Sequence, residues 1–244
     1  MLCRVLGAGF VLTALAWSAG AGEDLAMDTI KTSAGDLQIT FIGHGTLMFA
    51  WSGKVVHVDP WSKLTDYGAL PKADLILVTH EHGDHLDPVA IRTLRKDGTK
   101  VLANAAAAAT LPGSTAMKSG DATTVGGVRV EAVPAYNVVQ KRDGGQPYHP
   151  KGVGNGYVLT FGDTRVYVAG DTENTPEMKA LRDITCAFLP MNLPYTMTPE
   201  MVADAARSMA PKILYPYHFG DTKTTRLQDL LKGSGIDVRI RNLK

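Results

Sequence analysis

Leu75-Ile76-Leu77-Val78-Thr79-His80-Glu81-His82-Gly83-Asp84-His85 joins a four-residue apolar run to a segment holding three imidazoles and a carboxylate. A short apolar run of this kind, bounded by polar residues, reads as a buried strand. The loop that leaves it carries neutral nitrogen donors and a charged oxygen donor. That is the ligand set preferred by divalent zinc, manganese or iron. The spacing divides the work. His80 and His82 can point one way while Asp84 and His85 point to a neighbouring position, which suggests two metal ions. The bland alternative is a chance histidine cluster on a polar surface loop.

Two more candidates occupy the same kind of position. Asp171 follows Val166-Tyr167-Val168-Ala169-Gly170, and His218 follows Ile213-Leu214-Tyr215-Pro216-Tyr217. Loops leaving one sheet edge can converge in a single cleft. A carboxylate has two oxygens, so Asp171 could bridge two cations and offset their repulsion. Its structural alternative is a turn or helix N-cap residue.

Further strands are expected at Leu37 to Phe41, Thr46 to Trp51, Lys54 to Val58, Lys100 to Ala103, Val128 to Val133, Gly156 to Phe161, Thr164 to Ala169, Cys186 to Leu189, Ile213 to Tyr215 and Val238 to Ile240. Ser52-Gly53 and Gly162-Asp163 have the composition of two-residue hairpin turns. Helices are expected at Pro88 to Leu94, Ala105 to Ala109, near Pro176 to Leu181, at Pro199 to Met209 and at Thr225 to Leu231. Asp87 and Thr198 are placed to cap two of them, each with proline at the first helical position. Strand-rich stretches with helices inserted late in each half predict an α/β (α+β) chain, two packed sheets covered by helices. The letters show no convincing internal repeat. A polar, glycine-rich loop from Tyr136 to Gly154 is too long to be a filler turn.

Residues 1–21 read as a signal peptide. Arg4 precedes an apolar stretch from Val5 to Trp17, and Ala19-Gly20-Ala21 has the form of a signal peptidase site. The stretch is short for a membrane span, although an uncleaved anchor is the alternative reading. The expected location is therefore periplasmic or secreted, with no stable membrane insertion after cleavage. Residues 22–36 read as an N-terminal extension and 37–244 as a single domain, a length that supports one large core. With 25 basic and 24 acidic side chains, the charge gives no broad basic face for nucleic acid. Cys3 lies in the signal segment, which leaves Cys186 as a small buried hydrophobe. The oligomeric state is not readable.

The loop after Val78 resembles the signature of the metallo-beta-lactamase fold superfamily. Within it the chain is most similar to the lactonase-like metal-dependent hydrolases, the ascorbate-6-phosphate lactonase relatives. Ile42-Gly43-His44-Gly45-Thr46, Val58-Asp59-Pro60, Ala169-Gly170-Asp171-Thr172, Tyr195-Thr196-Met197-Thr198-Pro199-Glu200 and Tyr215-Pro216-Tyr217-His218-Phe219-Gly220 carry the resemblance further. It implies a four-layer αββα sandwich, two mixed sheets face to face with helices outside. It also implies two divalent metal ions, zinc first, with manganese or iron as substitutes. His80 and His82 resemble ligands of the first metal. Asp84, His85 and His218 resemble ligands of the second, and Asp171 the bridge. Asp59 resembles a carboxylate that orients a ligand histidine through its other ring nitrogen.

The family supplies one more first-metal histidine near Asn137, where this chain has none. His149 is the nearest substitute. It could instead contact substrate or sit on the surface. Asn137 itself could coordinate through its amide oxygen. His44 is either a pocket residue contacting substrate or an active-site carboxylate, or a packed core histidine. His57 reads as structural or exposed.

Such a site implies hydrolysis by a metal-bound hydroxide with no covalent enzyme intermediate. Asp84 would orient the nucleophile and pass a proton to the leaving group, and His149 or Lys151 would stabilise developing negative charge. The substrate is expected to be a small molecule, a cyclic ester or a relative of one. Tyr136, Tyr148, Tyr195, Tyr217 and Phe219 are candidate pocket walls. The alternatives are a phosphodiesterase-type hydrolase and a non-catalytic metal-binding protein.

Overall fold

A computed structural model describes residues 25–244, so the expected signal peptide at 1–21 lies outside the described residues. Fourteen strands form two seven-stranded sheets, and the chain completes the first before starting the second. The first sheet holds β1 (Met27–Thr32), β2 (Gly35–Gly43), β3 (Thr46–Trp51), β4 (Lys54–Val58), β5 (Leu75–Val78), β6 (Lys100–Ala103) and β7 (Thr115–Ala116), side by side in that order. The second holds β8 (Ala122–Val125), β9 (Val128–Ala135), β10 (Gly154–Phe161), β11 (Thr164–Val168), β12 (Cys186–Pro190), β13 (Ile213–Tyr217) and β14 (Asp237–Val238).

Each sheet is mixed in the same way. β1 to β4 pair antiparallel, and β4 to β7 pair parallel. β8 to β11 pair antiparallel, and β11 to β14 pair parallel. The parallel part of each sheet requires crossovers. Those crossovers carry α1 (Pro88–Leu94), α2 (Ala105–Thr110), α3 (Pro176–Lys179), α4 (Pro199–Met209) and α5 (Thr224–Leu230). The two halves thus repeat one topology although their letters do not visibly repeat.

Local sequence explains the elements. The expected hairpins form with Trp51 opposite Lys54 and Phe161 opposite Thr164. Ser52 and Gly53 both have positive φ, as a turn matching strand twist requires. The Asp87 carboxylate accepts from the N–H groups of Val89 and Ala90, and the Thr198 hydroxyl from that of Met201, as their positions predicted. α4 buries Val202, Ala203, Ala205, Ala206 and Met209 on one face.

Packing produces four layers. Between the sheets lies an aromatic core that includes Phe41, Phe49, Phe161, Phe188 and Tyr215. Phe188 and Tyr215 stack with ring centroids 4.8 Å apart and planes 9° apart. A second cluster, with Ile76, Val78, Ile91 and Leu94, seals the first sheet against α1 and α2. A third, with Leu189, Val202, Met209 and Leu227, seals the second sheet against α3 to α5.

Three details add to the sequence reading. Part of the stretch expected as an extension forms β1, whose Asp28 receives bidentate hydrogen bonds from Arg241 and further ones from Arg239 and Tyr215. The last strand is Asp237–Val238, two residues where Val238 to Ile240 was expected. His57, expected as structural or exposed, is fully buried, with Nε2 3.1 Å from the Pro71 carbonyl. Among the described residues, no helix is long and apolar enough to cross a membrane.

Candidate metal centre

The carboxyl ends of β2, β4, β5, β11 and β13 deliver His44, Asp59, His80, Asp171 and His218. Three of these residues take left-handed backbone conformations that side chains seldom adopt. φ is 50° at His44, 46° at Asp59 and 44° at His218. Each costs about 1–3 kcal/mol, strain characteristic of residues aimed at a site. Gly170 makes the companion approach. Its φ is 66°, and a Cβ there would stand 2.8 Å from the Asn155 carbonyl and 3.0 Å from Thr79 Cβ.

Three groups of side chains lie close enough to hold ions. Within each, one ligand atom per residue falls within 4.8 Å of the others: His80, His82 and His149; His44, Asp84, His85 and His218; and His80, His85 and Asp171. Asp171 stands between the first two groups. Its Oδ2 is 3.4 Å from His149 Nε2, 3.5 Å from His218 Nε2 and 4.0 Å from His80 Nε2, and its Oδ1 is 3.5 Å from His85 Nε2. Asp84 Oδ2 is 3.6 Å from His218 Nε2 and 3.8 Å from His85 Nε2.

The surrounding hydrogen bonds set the ring tautomers. His85 Nδ1 donates to Asp59 Oδ2 at 2.8 Å, so in the neutral ring Nε2 is the atom that offers a lone pair to the cluster. Asp59 is held in turn by the Thr79 backbone N–H and hydroxyl, at 2.8 and 2.7 Å. Having spent its proton on Asp59, the Thr79 oxygen can accept from His80 Nδ1 at 3.0 Å. His149 Nδ1 donates to Asn137 Oδ1 at 2.8 Å. The Asn137 NH₂ group donates to Glu173 Oε1 and to the Tyr195 carbonyl, which fixes the orientation of the amide.

Four buried atoms aimed into the cluster have no hydrogen-bond partner: Nε2 of His85, His149 and His218, and Oδ1 of Asp171. Stranding so many polar atoms is costly unless something else satisfies them. Imidazole nitrogens and carboxylate oxygens at this density fit divalent transition metals, and the residues present therefore suit the metals the sequence reading expected.

Electrostatics divide the imidazoles. Burial, aided by neighbouring imidazoles, holds His80 well below the ordinary histidine range. Burial likewise lowers His149 to about 4, so both are neutral donors at neutral pH. Burial pushes His85 in the same direction but is outweighed by Asp171, Asp59 and Asp84, which raise it to about 9. Burial opposes ionisation of Asp171, yet the four imidazoles around it keep its carboxyl below the usual range.

The structure brings together His44, Asp59, His80, His82, Asp84, His85, His149, Asp171 and His218. His44 lies in the cleft, with Nε2 3.1 Å from Asp84 Oδ2 and its ring centroid 3.7 Å from that of His218. Asn137 places its oxygen on the far ring nitrogen of His149 and acts on that side chain instead of pointing at the cluster. Lys151 was expected near developing charge, but it turns away to Glu177 Oε1 at 2.9 Å and the Tyr136 hydroxyl at 3.2 Å. Of the candidate aromatic walls, Tyr148 and Tyr195 line the cleft. Tyr217 is buried, accepting from the Gly170 N–H, Phe219 packs on the core, and Tyr136 pairs with Glu177.

Sequence reading missed Glu173, a fully buried carboxylate. It accepts from the N–H groups of Val138, Val139 and Gln140 and thereby holds the start of the long loop. No local signal marks it, because its partners lie more than thirty residues away.

Comparison with known proteins places this geometry in a family. A family model described as a beta-lactamase superfamily domain matches residues 38–218. A UPF0173 metal-dependent hydrolase of Koribacter versatilis is 33% identical over 75% of this chain and 84% of its own length. One from Methanoculleus marisnigri is 31% identical over 75% of this chain and 81% of its own. The crystal structure of a metal-dependent hydrolase from Parabacteroides distasonis superposes with a TM-score of 0.86 at 53% identity, covering 90% of this chain and all of that one. The chain belongs to the metal-dependent hydrolases of the beta-lactamase superfamily.

Proposed function

We propose that this protein hydrolyses a small cyclic ester with the help of two divalent cations, most naturally zinc. The observation that carries the proposal is the position of Asp171, within 3.4–4.0 Å of imidazoles from both ligand groups. His80, His82 and His149 would hold one ion, Asp84, His85 and His218 the other, and Asp171 both. Bound there, the cations supply Lewis-acid activation of water and of the ester carbonyl.

The chain's own residues handle orientation and the proton. Asp84 is one-third exposed to the cleft and positioned by His44 Nε2, so its carboxylate can take a proton from the attacking water. The water oxygen bonds to the acyl carbon, the ring C–O bond breaks, and the proton returns from Asp84 to the departing oxygen. The products are a carboxylic acid, which releases its remaining proton to solvent as the carboxylate, and a hydroxyl on one opened chain. A cleft of about 360 Å³ with Tyr148 and Tyr195 in its wall suits a small, partly apolar molecule.

The test is metal analysis of the purified protein beside a panel of a lactone, a cephalosporin and bis-p-nitrophenyl phosphate. Two ions per chain with preferential lactone turnover supports the proposal. Cleavage of the phosphodiester alone replaces it with a phosphodiesterase. Two ions and no turnover across a wide panel leaves a metal-binding protein.

A further inference from the structure

Besides the candidate metal-ligand residues, the cleft is lined by Arg142, Tyr148, Asn192 and Tyr195. Arg142 is the one lysine or arginine in that lining, and the long loop presents it in a defined way. Its backbone N–H donates to the Gln146 carbonyl and its carbonyl accepts from Gly145 N–H, both at 2.8 Å, while Lys141 bridges to Pro147. The guanidinium carbon lies 4.9 Å from the Tyr148 ring centroid, and Tyr148 meets Tyr195 edge to face at 5.1 Å. At the root of the loop, Glu173 and Asn137 tie it to the cluster. Among the described residues, the Arg142 guanidinium forms no ion pair with a carboxylate, and the group it rests on is the Tyr148 ring.

An arginine laid on an aromatic face keeps its planar fork of donors oriented at little entropic cost. A fork of that kind, unpaired and lining a cleft, matches the two oxygens of a carboxylate or phosphate. We infer that Arg142 binds an anionic group of the substrate, a carboxylate or a phosphate, while Tyr148 and Tyr195 flank the apolar atoms next to it. The ester then carries its charge away from the bond that is cut. The identity of the reaction rests on the hydrolytic reading above, whereas the anion subsite does not.

The test uses protein reconstituted with zinc and three unreactive cyclopentanones, bearing a carboxylate, a phosphonate or a methyl amide. Calorimetry should show wild type binding an anionic analogue about tenfold to a hundredfold more tightly than the amide. That ratio should fall at least about tenfold in Arg142→Gln and only partly in Arg142→Lys, which keeps the charge but not the fork. Whichever of carboxylate and phosphonate binds better names the source of the anion. An unchanged ratio in Arg142→Gln would assign anion capture to the metal cluster, and equal affinities for all three analogues would abolish the subsite. Either result overturns the inference. Arg142 is exposed, so the variant is expected to fold, and its circular dichroism checks that. If wild type opens no lactone, the hydrolytic reading fails while the calorimetric ratio still decides Arg142.

Discussion

The side-chain oxygen of Asn137 lies 2.8 Å from Nδ1 of His149 and 2.7 Å from the His149 backbone nitrogen. One amide therefore fixes both the ring and the chain that carries it. His149, twelve positions downstream of Asn137, stands with His80 and His82, and the asparagine orients it. Asn137→Ala should weaken one ion about tenfold to a hundredfold and leave the other nearly unchanged. Competition with a chromophoric chelator measures this, and equal weakening of both ions would refute the division into two ligand groups.

Asp171 stands between those groups, so its loss should be felt at both. Asp171→Ala is expected to weaken each ion by more than about a hundredfold, since it removes a donor and the negative charge that offsets cation repulsion. Elemental analysis after dialysis reads the stoichiometry. Two ions retained at wild-type affinity would rule out a shared carboxylate.

The loop that delivers His149 depends on Glu173. Glu173→Gln replaces one acceptor oxygen with a donor facing backbone N–H groups. The expected cost is about 2–4 kcal/mol in denaturant unfolding. Amide exchange at Val138, Val139 and Gln140 should quicken in step, and unchanged protection there would show that the loop is held by something else.

His57 predicts a pH effect independent of the metal centre. Burial lowers it from 6.5 to about 4, so the unfolded chain binds its proton first as pH falls. Stability is therefore lost between pH 6.5 and 4 and levels off below that, by about 3 kcal/mol at most. His57→Gln keeps a donor for the Pro71 carbonyl and removes the titration. Unfolding free energies of the two proteins, followed from pH 7 to 4, should diverge in that window. Parallel curves would mean His57 does not contribute.

The metal cluster was legible because its chemistry is local. His80, His82, Asp84 and His85 share one loop, and Asp171 and His218 follow apolar runs that could only be strands. Helix caps at Asp87 and Thr198 were legible for the same reason. Glu173, Arg142 and the turned-away Lys151 were not. The partners of Glu173 and Lys151 come from distant parts of the chain, and side chains of like charge in one loop, Lys151 and Arg142, ended facing different ways. β1 escaped notice because its letters, Met27-Asp28-Thr29-Ile30-Lys31-Thr32, bury a single side chain, Ile30, and the strand is held by an edge pairing and by Asp28. The shared topology of the halves escaped it too, since hydrogen-bond order can persist where residues have diverged.

That shared topology has a mechanical consequence. The first seven strands bring His44, His80, His82, Asp84 and His85, and the last seven bring His149, Asp171 and His218. Any cation gripped by either ligand group takes donors from both halves of the molecule. Bound ions would then work as rivets through the seam, and pulling the halves apart would strip donors from each.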